Sequence, residues 1–495
     1  MNLASAFAAS AESLGDKPAL FWGEAEFSYR TLLAQARSVA AGLQRDGVKP
    51  GDRVGLWLKN CPEFVPALFG VFLAGGVVAP INNFLKPEEV HYIVADAGIN
   101  VLLTDDTQPE ALARLAVLCP ALKFVRVDEL VHPTGRAALD FQPVDTTESD
   151  LAVLIYTSGT TGHPKGAMLT HGNLLHNVES CRIMLEAVAL DRFVLLLPMF
   201  HSFMLTVCIL LPLIVGGSIV LIKTLHPPRN MLQEIIRHGA TILPAIPPLF
   251  RALCHPSIPA ELPLRLCISG AAPLPLETLR DFDAKFPIPL MEGYGLSEAS
   301  PVVSFNPLRG VRKPGSVGLP VPNVQVSVQD DDGQLLADGQ TGEICVRGGN
   351  VMRGYWNQPE ETARVLQNGW LRTGDIGCRD ADGYYYITDR KKDMLLVNGI
   401  NVYPREIEEV IYQFPGVKEA AVIGQPDPRR GEQATAFVVA GDGSSVDEKA
   451  LLKFIRERLA DYKVPRRVVL MQALPRNATG KILKTALRQM TVANH

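Results

Sequence analysis

The segment Tyr156-Thr-Ser-Gly-Thr-Thr-Gly-His-Pro-Lys165-Gly166 contains four hydroxyl residues, three glycines and one lysine. It follows the apolar run Leu151–Ile155, which predicts a buried strand, and it precedes Ala167–His176, which predicts the start of a helix. Glycines let backbone N–H groups approach a ligand closely, hydroxyl groups add donors, and a lysine adds a mobile positive charge. The sequence therefore predicts a phosphate-binding loop between a strand and a helix.

The spacing of this loop differs from that of P-loop NTPases. Their pattern requires a glycine, four residues and then Gly-Lys-Ser/Thr. Here Pro164 stands five positions after Gly159, and Lys165 is followed by Gly166. An ordinary polar turn is the remaining alternative, and the density of hydroxyls, glycines and charge argues against it.

Two segments repeat one pattern of an apolar helix, a double glycine and a buried strand, at residues 64–81 and 205–222. The second contains 18 residues without a charge, which reaches the lower limit for a membrane span. However, Pro212 and Gly216-Gly217 divide it. We therefore expect a soluble α/β protein with two similar, mostly parallel layers, in which ligands bind at the carboxyl ends of the strands.

The pattern changes towards the C-terminus. From about residue 315, strand pairs flank Asp/Gly-rich turns, which predicts a region rich in β-hairpins that forms a distorted barrel. From residue 394, helices and strands alternate over about a hundred residues, a typical domain size. We expect a large N-terminal domain (1–388), a hinge (389–393) and a small, mobile α+β domain (394–495).

Composition excludes several classes of protein. The chain has 495 residues, a net charge of −4 and no long basic block, which argues against nucleic-acid binding. Its eight cysteines form no Cys-x-x-Cys pair and no zinc-like cluster, so we expect reduced thiols in the cytoplasm. The first basic residue is Lys17, so residues 1–10 lack the charged start of a signal peptide.

Four further segments carry candidate functional residues. Glu298 ends Tyr294-Gly-Leu-Ser-Glu298 after a predicted strand; Mg²⁺ binds through one or two carboxylates plus phosphates, although a solvated glutamate is the simple alternative. Tyr294 offers a face for stacking on adenine, or it is a core tyrosine. The other segments are Trp370-Leu-Arg-Thr-Gly-Asp375, Asp389-Arg-Lys-Lys-Asp393 and Pro475-Arg-Asn-Ala-Thr-Gly-Lys481. Taken alone, they predict a turn aspartate, a solvated charged face and a glycine loop.

Together with the phosphate loop, these segments resemble the signatures of the adenylate-forming superfamily, which comprises acyl-CoA synthetases, adenylation domains of peptide synthetases and luciferases. The resemblance covers nearly the whole chain, with five signatures in the family order. It implies that ATP and Mg²⁺ are required and that the acyl group passes to CoA.

The resemblance also implies roles for individual residues. Glu298 binds Mg²⁺, Asp375 binds ribose, Arg390 reaches the nucleotide, and Lys392 is the hinge residue. Lys481, Glu298, Thr157 and His201 form the catalytic set, in which Lys481 bridges the acyl carboxylate and the α-phosphate. Ser297 stands where the family more often has threonine. His201, Asn398 and Gly399 belong to the CoA tunnel. The ATP and AMP site comprises Thr157, Ser158, Gly159, Thr160, Thr161, Gly162, Lys165, Gly270, Ala271, Ala272, Glu292, Gly293, Tyr294, Gly295, Ser297, Asp375, Arg390 and Lys481.

The acid substrate is the least specified part of this prediction. The apolar region 193–222 has few polar anchors, which favours an alkyl chain, although plain core is the alternative. The segment Val397–Pro404 resembles the corresponding sequence of medium- to long-chain fatty acyl-CoA ligases. Aryl-CoA ligases and acyl-AMP ligases that load a carrier protein remain open. Intact Lys165, Glu298, Asp375, Arg390 and Lys481 argue against an inactive scaffold.

Overall fold

The computed structural model describes residues 1–132, 141–142, 144–157, 164–225, 228–398, 400–427, 431–441, 443–476 and 481–492. The predicted phosphate-loop residues 158–162 and the predicted tunnel residue Gly399 lie outside the described residues.

Residues 1–131 alternate helices and strands. Their bounds are α1 (Leu3–Leu14), β1 (Pro18–Trp22), β2 (Ala25–Ser28), α2 (Tyr29–Arg45), β3 (Arg53–Trp57), α3 (Phe64–Leu73), β4 (Val77–Pro80), α4 (Pro87–Ala97), β5 (Val101–Thr104), α5 (Pro109–Leu118), β6 (Lys123–Arg126) and α6 (Val127–Val131).

The alternation continues to residue 305, with a π-helical segment at Met204–Leu210 and a 3-10 turn at Ser297–Ala299. The elements are β7 (Leu151–Thr157), β8 (Lys165–Thr170), α7 (His171–Met184), β9 (Arg192–Leu195), α8 (Leu211–Val215), β10 (Ser218–Leu221), α9 (Pro228–Arg237), β11 (Ile242–Ala245), α10 (Pro247–Leu253), β12 (Leu266–Ser269), α11 (Leu276–Lys285), β13 (Leu290–Gly295) and β14 (Val302–Phe305).

These elements build two largely parallel sheets. One has nine strands in the order β15-β14-β13-β12-β11-β9-β10-β1-β2, where β15 is Leu319–Pro320; the other has six in the order β6-β5-β3-β4-β7-β8. The repeated pattern of helix, double glycine and strand contributes β4 to the smaller sheet and β10 to the larger one. A single buried apolar cluster runs from Leu3 to Leu371 and includes residues of both sheets. The prediction of two similar α/β layers is confirmed.

The predicted strand–loop–helix arrangement around Lys165 is wrong. Strands β7 and β8 pair antiparallel, with Thr157 opposite Lys165, so the predicted phosphate loop joins two strands of a hairpin. Helix α7 begins only at His171, where the Thr170 hydroxyl accepts a hydrogen bond from the Asn173 backbone N–H at 3.0 Å. Residues 165–170 therefore extend the sheet instead of starting the helix.

The C-terminal third contains two antiparallel-rich sheets. The first comprises β16 (Val324–Gln329), β17 (Gly342–Gly348), β18 (Leu366–Gln367), β19 (Trp370–Arg379) and β20 (Tyr385–Arg390), with α12 (Pro359–Val365) preceding β18. The second comprises β21 (Leu395–Val397), β22 (Ile400–Val402), β23 (Val417–Asp427), β24 (Gly431–Ala440) and β25 (Arg467–Met471), with helices α13 (Pro404–Tyr412), α14 (Glu448–Arg456) and α15 (Lys484–Val492).

Residues 395–487 supply two apolar clusters of their own. This agrees with the expected C-terminal unit, and the boundary and hinge at 389–393 stay a prediction. Across the described ranges, no helix combines the length and apolar content that crossing a bilayer would need.

Candidate active site

A cleft of about 2650 Å³ opens where several strands end and where the C-terminal segments approach them. Predicted residues from distant parts of the chain line it together: Thr157, Lys165, His201, Gly270, Ala271, Ala272, Glu292, Gly293, Tyr294, Gly295, Ser297, Glu298, Asp375, Arg390, Lys392 and Lys481. Asn398 is not among the described residues that line this cleft, so its assignment to the CoA tunnel stays a prediction.

Glu298 is held by hydroxyl groups from two neighbouring segments. The Tyr355 hydroxyl donates to Glu298 Oε1 at 2.8 Å, and Thr157 Oγ1 donates to the same oxygen at 3.4 Å. Thr157 ends β7, and Glu298 lies in the 3-10 turn after β13. Tyr355 was not predicted, because this tyrosine lies in none of the recognised motifs.

Lys165 is almost fully buried, with 5% of its surface exposed. Its ammonium forms an ion pair with Glu361 of α12, and Nζ lies 5.5 Å from the centroid of the Tyr355 ring. Glu361 also pairs with Arg364 one turn later in α12. Neither Glu361 nor Arg364 was predicted, since a Glu-Glu-Thr-Ala-Arg run resembles any solvated helix.

Asp375 is a strand residue, so its interpretation as a turn aspartate is wrong. It lies in β19 opposite Arg390 in β20, with 2% of its surface exposed. Arg390 Nε donates to Asp375 Oδ1 at 2.6 Å, and the Tyr294 hydroxyl donates to Oδ2 at 2.5 Å. Burial, and then the charge of Asp375, raise the pKa of the Tyr294 hydroxyl well above its usual value, so this hydroxyl remains a donor. The pairing of β19 with β20 brings Asp375 and Arg390 together, and Tyr294 from β13 completes a hydrogen-bonded group of three predicted nucleotide-site residues.

His201 follows β9 and faces the same cleft. Its pKa is lowered to about 4, first because burial disfavours the charged imidazole and second because the Lys481 ammonium repels it. The imidazole is therefore neutral near pH 7, and Nδ1 accepts from the Phe203 backbone N–H at 3.3 Å. The next residue, Ser202, lies 3.0 Å from Ser297 between hydroxyl oxygens, which joins the loop after β9 to the Glu298 loop.

Lys481 reaches the cleft from the C-terminal end of the chain. Surrounding protein, and then the positive charge of Arg390, lower the pKa of its ammonium to about 8, while Asp375 acts in the opposite direction. The segment around it is anchored to the predicted hinge region, because Arg488 pairs with Asp393 at 2.6 Å. In the same helix, Lys484 pairs with Glu408 of α13 at 2.9 Å.

Two predicted nucleotide-site glycines are also required by packing. A Cβ added to Gly293 would lie 2.3 Å from the Phe305 ring, and one added to Gly295 would lie 2.1 Å from the Pro301 carbonyl oxygen. The main-chain path at the end of β13 therefore excludes side chains at these two positions whether or not a nucleotide is bound.

The prediction that the apolar region 193–222 forms the acid pocket is largely wrong. Residues 204–213 are fully buried in the central core, and only the short stretch 200–203 of this region lines the cleft. Apolar residues from the segments around α9 and α10 also line the cleft, namely Leu232, Ile236, Pro247, Pro248, Ala252 and Ile258. The uninterrupted apolar run arises because both faces of this helix and strand are covered by protein.

The predicted Mg²⁺ site is built around the carboxylate of Glu298, which lines the cleft. Within the described ranges, no group of three or more His, Cys, Asp or Glu side chains could hold a metal. Glu298 with the neighbouring Thr157 hydroxyl fits Mg²⁺, which takes one or two carboxylates and otherwise binds the phosphates of its substrate.

Comparison with known proteins agrees with the geometry. Residues 7–356 match the family described as AMP-binding enzyme, and residues 406–481 match the AMP-binding enzyme C-terminal domain. A long-chain-fatty-acid–CoA ligase of Bacillus subtilis (strain 168) is 37% identical, with 100% of this chain and 95% of the relative covered. A feruloyl-CoA synthase of Amycolatopsis sp. is 38% identical over 94% of each chain.

Among solved structures, ATP-bound MatB from Rhodopseudomonas palustris superposes with a TM-score of 0.91, at 34% identity and 99% coverage of both chains. With matches this long in sequence and in structure, the chain belongs to the AMP-binding enzyme family, the adenylate-forming superfamily that its motifs resemble.

Proposed function

We propose that this protein is an ATP-dependent fatty acyl-CoA ligase that forms an acyl-AMP and then transfers the acyl group to the thiol of CoA. The observation that carries the proposal is the convergence of Lys165, Glu298, Asp375, Arg390 and Lys481 on one cleft. An acid-activating enzyme needs positive charge and hydrogen-bond donors around a triphosphate beside a site for a carboxylate, and this set supplies them.

In the first half-reaction, a carboxylate oxygen attacks the α-phosphorus of ATP. A new P–O bond forms, the bond to the β-phosphate bridging oxygen breaks, and pyrophosphate leaves. Lys481 is proposed to bring its ammonium to the attacked phosphate and the incoming carboxylate, while Lys165 and Thr157 act on the leaving phosphates. Bound Mg²⁺ would neutralise phosphate charge, and Glu298 is the residue proposed to hold it.

The nucleoside end is proposed to bind at the group formed by Tyr294, Asp375 and Arg390. Both carboxylate oxygens of Asp375 already accept protein hydrogen bonds, from Arg390 and Tyr294. A ribose would therefore share these acceptors, since each oxygen has a second lone pair. The existing bonds fix the carboxylate before the nucleotide arrives.

In the second half-reaction, the thiol sulfur of CoA attacks the acyl carbon. A C–S bond forms, the C–O bond to AMP breaks, and the thiol proton leaves to solvent. Lys481 is no longer needed at this step, and a rotation about Lys392 would remove it and bring Asn398 and Gly399 towards the cleft. His201, which lines the cleft, is proposed to position the acyl group; its neutral imidazole would place no cation near the thiol.

The acid is proposed to be a fatty acid. The long-chain-fatty-acid–CoA ligase of Bacillus subtilis aligns over all of this chain, and the cleft has an apolar lining around α9 and α10. An aryl acid is the second candidate, because the feruloyl-CoA synthase is equally similar, at 38% identity. All eight cysteines are free thiols, which supports a cytoplasmic location.

Pyrophosphate release across a panel of fatty, aryl and amino acids, with and without CoA, tests the proposal. We expect acid-dependent release with medium- and long-chain fatty acids, and acyl-CoA only when CoA is present. A response confined to aryl acids would replace the fatty-acid proposal by the aryl one. A response confined to amino acids, or product formed only with a carrier protein, would contradict both.

A further inference from the structure

Glu361 is placed unusually for a surface-helix carboxylate. It pairs with Lys165 through Oε2 and with Arg364 through Oε1, and both Glu361 and Arg364 line the cleft. The side chain of Lys165 is only 6% exposed and that of Glu361 is 19% exposed, so their contact is shielded from bulk water. The neighbouring Glu360 is exposed and is not among the described residues that line the cleft.

The ion pair stabilises the empty site. A buried ammonium without a partner is costly, because it has lost its hydration. Glu361 removes that cost, and the hydrogen bond from Lys165 is the main cause that lowers the pKa of the Glu361 carboxyl. The carboxylate is therefore ionised near pH 7 and holds the ammonium against the Tyr355 ring.

The same contact opposes the binding of phosphate. Phosphate oxygens that approach the Lys165 ammonium also approach the Glu361 carboxylate that is paired with it. Both groups are negatively charged, so they repel each other at this distance. A polyphosphate must either displace Glu361 or share Lys165 with it. Glu361 therefore lowers the affinity of the site for phosphate in two ways. It stabilises the empty site through the ion pair, and it destabilises the occupied site through repulsion.

We propose that Glu361 is a positioning residue that competes with polyphosphate for Lys165: it holds the ammonium in the empty site, yields it to ATP, and takes it back as pyrophosphate leaves. The assignment rests on the proposed function, because it requires Lys165 to contact the leaving phosphates. Its consequence is faster product release at the expense of ATP affinity.

Glu361→Gln tests this assignment, since the amide keeps the shape and loses the charge. The full-length variant is expected to show a KM for ATP, and an inhibition constant for inorganic pyrophosphate, that are both lower by about fivefold. The maximal rate stays equal or falls, because tighter pyrophosphate slows turnover. Glu361→Asp, which restores the charge, should return both constants towards the wild-type values.

Glu360→Gln is the matched control and should leave both constants unchanged. The thermal unfolding midpoint, measured with and without pyrophosphate, gives a readout independent of turnover: Glu361→Gln should unfold earlier when empty and gain more from pyrophosphate than the wild type. If the wild-type enzyme is active and the KM for ATP and the inhibition constant for pyrophosphate are unchanged or higher in Glu361→Gln, the role of Glu361 is overturned while the proposed function stands. A wild-type enzyme that releases no pyrophosphate with any acid would instead overturn the proposed function.

Discussion

The two walls of the cleft are built differently. The wall from residues 157–390, here the large wall, continues into the apolar cluster that spans both parallel sheets. The wall from residues 391–488, here the C-terminal wall, belongs to separate apolar clusters. The two meet through polar contacts, such as Arg251 with the carbonyl oxygens of Val417 and Lys418, and Arg405 with Glu292 at 3.9 Å.

This difference indicates which residues can move. The polar groups at the boundary can bond to water once the walls separate, whereas displacing a residue of the large wall would disturb the central core. Thr157, Lys165, Glu298 and Asp375 are therefore fixed parts of the site. Lys392 and Lys481 belong to the C-terminal wall, and we propose that Lys481 enters the site for the first half-reaction and leaves it for the second.

The largest expected effect on thioester formation comes from stopping that movement. Lys392→Pro fixes φ at the proposed hinge, so thioester formation should fall by about 100-fold as the thiol and acyl group no longer align. Pyrophosphate release in the first turnover should persist. Lys392→Ala, which loses the charge but keeps the backbone freedom, is the control for the side chain. Equal loss of both half-reactions in Lys392→Pro would mean that this residue is not a hinge.

A change in the large wall should have a different signature. Glu298→Gln keeps an acceptor for Tyr355 but loses the charge proposed to hold Mg²⁺, so pyrophosphate release should fall by about 10- to 100-fold. The Mg²⁺ concentration for half-maximal rate should rise in the same variant. Tyr355→Phe, which keeps the carboxylate, should shift the Mg²⁺ requirement less. A Mg²⁺ dependence identical to that of the wild type would contradict the metal role of Glu298.

The smallest expected effect concerns stability where the walls meet. Burial raises the pKa of Glu292 from its usual 4.5 to about 7, and Arg405 opposes the shift. A raised carboxyl pKa stabilises the fold at low pH, and this stabilisation is lost as pH rises through about 7. Glu292→Gln keeps the acceptor for the Leu274 N–H, which lies 3.0 Å from Glu292 Oε1. Relative to that of the wild type, the free energy of unfolding of Glu292→Gln should rise by about 1–3 kcal/mol from pH 5 to pH 8.

Denaturant unfolding at the two pH values measures this gain. A difference between Glu292→Gln and the wild type that is the same at pH 5 and pH 8 would show that the carboxyl does not titrate in this range.

Local sequence signals predicted much of the fold and many of the residues that line the cleft. Gly270-Ala-Ala follows β12 and Tyr294–Glu298 spans the end of β13, and the carboxyl ends of parallel strands meet at one edge. That is why residues far apart in sequence were expected in one cleft. Hairpins were recognisable from their Asp/Gly turns, and the antiparallel pairs β16–β17 and β19–β20 confirm them.

Features that depend on contacts between distant segments were not predictable. Glu361 and Tyr355 lie in no recognised pattern, and only the tertiary fold brings them to Lys165 and Glu298. The hairpin β7–β8 was mistaken for a strand and a helix because apolar residues 167–169 suit either state. The region 193–222 was mistaken for a substrate pocket because composition alone does not separate a core from a cavity wall. Helices α5 and α6 and strand β6 were missed in a weakly patterned stretch.

We propose that Lys481, which comes from the C-terminal wall, serves adenylation alone. The direct test measures both half-reactions on one preparation of Lys481→Ala: acid-dependent pyrophosphate release, and thioester formation from supplied acyl-AMP and CoA. We predict that pyrophosphate release falls by about 100- to 1,000-fold, because the ammonium at the attacked phosphate is lost. Thioester formation should stay within about twofold of the wild type, as the second step proceeds with this lysine withdrawn. An equal loss of both half-reactions would contradict the account.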